Sequence, residues 1–148
     1  MLHTLLSLAT LLGASPSDTN RHVVIDPKDI HWTPAGQGLA LATLEGNPDR
    51  AGAIYTILLK LAPGQWIQPH HHPHDKRIVV ISGRLLMGMG SALDSAAARV
   101  LPAGGFVLVP AGSNHYEGAA GETVLLMSGM GPLKTIYVKS VRAGTSPN

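Results

Sequence analysis

Apolar residues come in short runs broken at close intervals by Gly, Pro, Asn and Asp, and no stretch sustains the 3.6-residue spacing of an amphipathic helix. The pattern predicts strands at residues 21–26, 30–32, 39–44, 53–61, 77–81, 84–87, 106–109, 123–127 and 135–138. Residues 96–101 form a weaker, alanine-rich candidate. Within 53–61, Tyr55, Ile57, Leu59 and Leu61 share one face, and Ile54, Thr56, Leu58 and Lys60 share the other. Only Thr56 and Lys60 soften that second face, as expected of a strand partly covered on both sides. Turn formers punctuate the rest, among them Glu45 to Arg50, Pro63-Gly64, Ser82-Gly83, Pro102 to Gly105 and Pro110 to Gly112. An all-β sandwich or barrel follows, in preference to a helical bundle or a parallel α/β sheet.

Composition narrows the picture. The chain has 148 residues, enough for one domain. It is 45% apolar but only 4% aromatic, so aliphatic side chains must fill most of the core. Eleven basic residues against nine acidic ones leave a formal charge of +2 without a basic stripe, so nucleic acid is not an expected partner. There is no cysteine, hence no disulfide, thiolate ligand or thiol nucleophile, and any metal must rest on histidine and carboxylate. Leu2 to Ala14 is nearly all apolar or small and leads into Ser15-Pro16-Ser17-Asp18, like the apolar region and exit of a signal peptide. It lacks a preceding Lys or Arg, and a short N-terminal arm is the other reading. A cleaved signal implies a periplasmic or secreted protein with no membrane attachment after processing; an uncleaved arm implies a cytoplasmic one.

The histidines carry the chemistry. Five of the eight stand at positions 70, 71, 72, 74 and 115. On an extended backbone residues i and i+2 face the same side, so His70 and His72 can reach one ion while His71 points away. His115, after the Pro110-Ala111-Gly112-Ser113-Asn114 turn, can begin a strand that brings a third imidazole. One divalent metal, Fe2+, Mn2+ or Zn2+, is the expected cofactor.

These residues resemble the two motifs of the cupin superfamily. The first runs Gly, five residues, His-x-His, three or four residues, Glu, six residues, Gly; Gly64, His70, His72 and Gly83 fall in that register. The second runs Gly, five residues, Pro-x-Gly, two residues, His, three residues, Asn, and is matched by Gly104, Pro110, Gly112 and His115. Trp32-Thr33-Pro34 and Gly131-Pro132 extend the likeness to small single-domain cupins, over residues 30 to 138. The resemblance implies a double-stranded β-helix, the RmlC-like jelly-roll barrel, over residues 21–140, with 1–18 as signal peptide or arm and 141–148 as a tail. It also implies a homodimer, in which a strand such as Arg21 to Ile25 can be exchanged between subunits.

This chain departs from the family pattern at two positions. Lys76 stands where the motif has its metal-binding Glu, and Ala119 where it has Asn. An ammonium beside a dication weakens metal binding unless Lys76 turns away or deprotonates. Three arrangements stay open: a three-imidazole site, a site in which His74 or Asp75 replaces the Glu, and a degenerate site without tight metal. The leading functional expectation is a metal-dependent dioxygenase or related oxidoreductase acting on a small oxygenated or enolisable molecule. His70, His72 and His115 are its metal ligands, Lys76 orients substrate charge, and Trp66, Tyr116 and His74 are candidate substrate contacts. The rival is a non-catalytic domain that binds a sugar or organic acid. In either case the partner is a small molecule.

Overall fold

The computed structural model describes residues 22–139. The signal-peptide reading of 1–18 and the tail at 141–148 lie outside them. Eleven strands make up the described fold: β1 (Thr33–Pro34), β2 (Leu39–Gly46), β3 (Ile54–Leu61), β4 (Trp66–His71), β5 (Lys76–Ser82), β6 (Arg84–Met89), β7 (Arg99–Pro102), β8 (Phe106–Val109), β9 (His115–Ala119), β10 (Thr123–Met130) and β11 (Ile136–Tyr137). The helical content among the described residues is a single 3-10 turn at Pro27–Asp29. None of their helices is long and apolar enough to cross a membrane.

The strands form two antiparallel sheets, ordered β1-β2-β3-β10-β5-β8 and β11-β4-β9-β6-β7. As the alternation predicts, Tyr55, Ile57, Leu59 and Leu61 of β3 all enter the core, with Ile78 and Val80 from β5 and Leu125 and Met127 from β10. The facing sheet contributes Leu85, Met87 and Ala119. The outer face of β3 is partly covered, as expected: Leu58 is buried and the Lys60 ammonium sits 4.4 Å above the Trp32 ring, while Ile54 is exposed. Gly83, between β5 and β6, has φ +79°, and a side chain there would strike the backbone of Glu122 and Thr123. The first motif therefore ends on a residue that only glycine can supply.

The expected strand at the start of the barrel is not formed. Residues 22–26 pair with no neighbour and Val24 is 89% exposed, while β1 covers only Ala40 and Leu41 of the β2 edge. The segment runs beside Thr43 to Glu45 of β2 without forming the backbone ladder that a strand needs.

Candidate metal centre

Strands β4 and β9 are neighbours, and His70 stands directly opposite His115 in their register. His72 follows immediately after β4. The three imidazoles cluster inside the barrel, with ring centroids 4.2 Å apart for His70 and His115, 4.9 Å for His70 and His72, and 5.3 Å for His72 and His115. All three are buried, and one ligand atom from each lies within 4.8 Å of the others.

Each ring is held by the same device. Nδ1 of His70 donates to the Gln68 carbonyl at 2.7 Å, that of His72 to the Lys134 carbonyl at 2.7 Å, and that of His115 to the Ser113 carbonyl at 2.9 Å. A carbonyl can only accept, so the proton is on Nδ1 and the Nε2 lone pair is left free. Burial pushes His70 down to about 4 and His72 to about 3, so both are neutral at pH 7, the form that binds metal.

Two further charged groups complete the site. Lys76, the first residue of β5, reaches in from the facing sheet and is only 3% exposed. Its ammonium donates to Nε2 of His72 at 2.9 Å and to Oε1 of Glu117 at 3.0 Å. Glu117 is fully buried on β9, two residues after His115 and on the same face, with Oε1 3.5 Å from His115 Nε2. Burial alone would raise the Glu117 carboxyl, but the Lys76 ammonium outweighs it and holds the group well below the usual carboxylate range.

Two buried polar atoms here have no hydrogen-bond partner: His115 Nε2 and Glu117 Oε2. Leaving such an atom unsatisfied costs about 1–3 kcal/mol. A lone pair and a carboxylate oxygen left over side by side need a cation or a donor. The residues therefore fit a divalent ion: three imidazole nitrogens with one carboxylate suit zinc, iron or manganese. The three ligand atoms lie within 4.8 Å of one another, close to the separation of about 4.2 Å that metal–nitrogen bonds of about 2.0–2.1 Å allow between two nitrogens.

A family model described as the ChrR cupin-like domain matches residues 20–134. The chain is a member of the ChrR cupin-like domain family. It is 33% identical over 99 residues to a germin-like protein, subfamily T member 3, of Arabidopsis thaliana, covering 66% of this chain and 41% of that protein. It is also 33% identical over 94 residues to oxalate oxidase GF-3.8 of Triticum aestivum, covering 58% of this chain and 42% of that one. This cupin thus spans about two-fifths of the length of those relatives. In structure it superimposes on an RmlC-like cupin from Shewanella frigidimarina with a TM-score of 0.60, at 17% identity, over 74% of this chain and 91% of the other.

The cupin site differs from the sequence expectation in its acid. The sequence reading missed Glu117, although the signal was present: a strand starting at His115 puts residue 117 on the same face. Lys76 does not turn to solvent, so the loss of the motif Glu is met by a carboxylate from the opposite sheet. Asp75 does not bend inward; its exposed carboxylate accepts from the Ala111 amide at 2.9 Å. His74 is half-buried in the bend before β5 and does not join the cluster. His71 points away as expected, its Nδ1 3.1 Å from Asn114 Oδ1.

Beside the cluster lies a cavity of about 190 Å³, reached by His70, His72, Lys76 and Glu117 and walled by apolar residues such as Leu41, Leu59, Ile67 and Met127. Trp66 and Tyr116, the expected substrate contacts, do not line this cavity. Tyr116 alternates with His115 and Glu117 and so faces the outside of the sheet, where its hydroxyl donates to the Asp94 carbonyl at 2.9 Å. Trp66 has the same parity as His70, but a bulge between Ile67 and His70 reverses the alternation. Its ring packs 6.2 Å from Tyr116 and lines a shallower cleft of about 500 Å³ with Gln65 and Gln68.

Proposed function

We propose that this cupin is a metal-dependent oxidoreductase acting on a small oxygenated or enolisable molecule that carries negative charge. One observation carries the reading: three buried imidazoles, each held by a carbonyl at Nδ1, converge beside a cavity that contains an ammonium. The likeness to an oxalate oxidase supports a small carboxylate as the substrate class. A cavity of about 190 Å³ suits such a molecule, being below the roughly 300–1,000 Å³ of drug-sized sites.

A divalent ion bound by His70, His72 and His115 would supply Lewis acidity and open positions for oxygen ligands. The protein's own groups do the rest. The Lys76 ammonium binds and orients a carboxylate or enolate oxygen, and the apolar wall keeps bulk water from that contact, which strengthens it. With His70 and His72 neutral, the negative charge of Glu117 offsets that of Lys76.

The test is metal content of tag-free protein beside His115→Ala, followed by oxygen uptake on a panel of diketones, thiols and hydroxy acids. The expected result is near one equivalent of iron, manganese or zinc, lost in the variant, with uptake on at least one compound. Stoichiometric metal without turnover on any compound would instead make this a small-molecule binding domain.

A further inference from the structure

We infer that Lys76 is a built-in stand-in cation at the metal position, and that a divalent ion binds by displacing it and takes Glu117 as its anionic ligand. This rests on the metal-binding reading above and adds to it a fourth donor and a competitor.

The geometry supports both parts. The Lys76 ammonium touches Nε2 of His72 and Oε1 of Glu117, at 2.9 and 3.0 Å, so it lies against one of the three histidine ligand atoms and against the carboxylate. Those two contacts leave His115 Nε2 and Glu117 Oε2 without partners. An ammonium offers three donors in fixed directions, whereas a metal ion takes four or more ligands at once. The donor set is therefore larger than its present occupant can satisfy. Glu117 also answers the charge requirement. A dication among three neutral imidazoles lacks an anionic ligand, and among the residues facing the cavity Glu117 is the carboxylate, fully buried and already drawn toward positive charge.

Displacement has somewhere to go. Lys76 lines the 190 Å³ cavity, and its four-carbon stem is flexible enough to move the ammonium from the imidazole into that space. There it is freed to meet an anionic ligand, so the same exchange that admits the ion prepares the substrate contact.

The experiment titrates Zn2+ into metal-stripped protein by calorimetry and follows melting with and without zinc, for the wild type, Lys76→Met, Glu117→Gln and His115→Ala. Lys76→Met is expected to bind zinc at least tenfold more tightly than wild type. Without metal it should melt lower, because Glu117 and His72 lose their cation, and zinc should raise its Tm by more than it raises that of the wild type. Glu117→Gln should bind at least tenfold more weakly. If Lys76→Met does not fold without metal, refolding in zinc is the expected rescue, and failure to refold there counts against the inference. Wild-type binding that is lost in His115→Ala but unchanged in Lys76→Met and Glu117→Gln would overturn the inference and leave the metal-binding reading standing. No zinc binding by any of the four proteins would overturn both.

Discussion

The three clustered histidines donate hydrogen bonds from Nδ1 to main-chain carbonyls, and this arrangement has a consequence in acid. An unfolded histidine takes up a proton near pH 6.5, while burial pushes His70 down to about 4 and His72 to about 3. Between those limits the unfolded chain binds protons that the folded one does not, so stability present above about pH 6.5 is lost as the pH falls toward 4 and below. Metal-free protein should show a Tm that declines over this window. A flat profile from pH 7 to 4 would show that the rings accept protons in place. Residue parity also separates site from scaffold at position 116. Tyr116→Phe removes the hydrogen bond to Asp94 and should cost about 0.5–1.5 kcal/mol in urea melts. Metal stoichiometry should not change, since the ring faces away from the histidines.

At the level of elements, β4 and β9 build the histidine cluster and β5 closes it from the other sheet. The bulge in β4 is the decisive local feature. It turns Ile67 and His70 to the same side of the sheet although they are three apart, and it sends Trp66 outward onto Gly118. Were the strand regular over the same residues, Trp66 would share the face of His70 and point into the barrel. Most strands were legible from the alternation of apolar and polar positions: β8 has the predicted bounds, and β3, β5 and β10 differ from theirs by one to three residues. The segment at 22–26 was not: its β-branched run pairs with no strand among the described residues.

Across the whole molecule the core and the site divide the barrel between them. Val80 lies four residues along β5 from Lys76 and pairs with Leu125, which pairs in turn with Leu59. All three are buried, so this end is packed with aliphatic side chains while the Lys76 end keeps its cavity. Leu125→Ala should cost about 2–5 kcal/mol, measured as a lower urea midpoint, because the surrounding sheets cannot close over the lost volume. A cost near zero would show that the core relaxes freely.

By itself the sequence determined the all-β architecture, the cupin motifs and the three histidines, because strand alternation and turn chemistry are local properties that a short window of residues carries. It also held the clue to Glu117, two residues beyond His115. Only the tertiary structure decided what Lys76 does, since its partners come from β9 across the barrel and from the end of β4. It likewise decided that Trp66 faces away from the histidine cavity, because a bulge changes which face a residue occupies without leaving a mark in the pattern of apolar and polar positions.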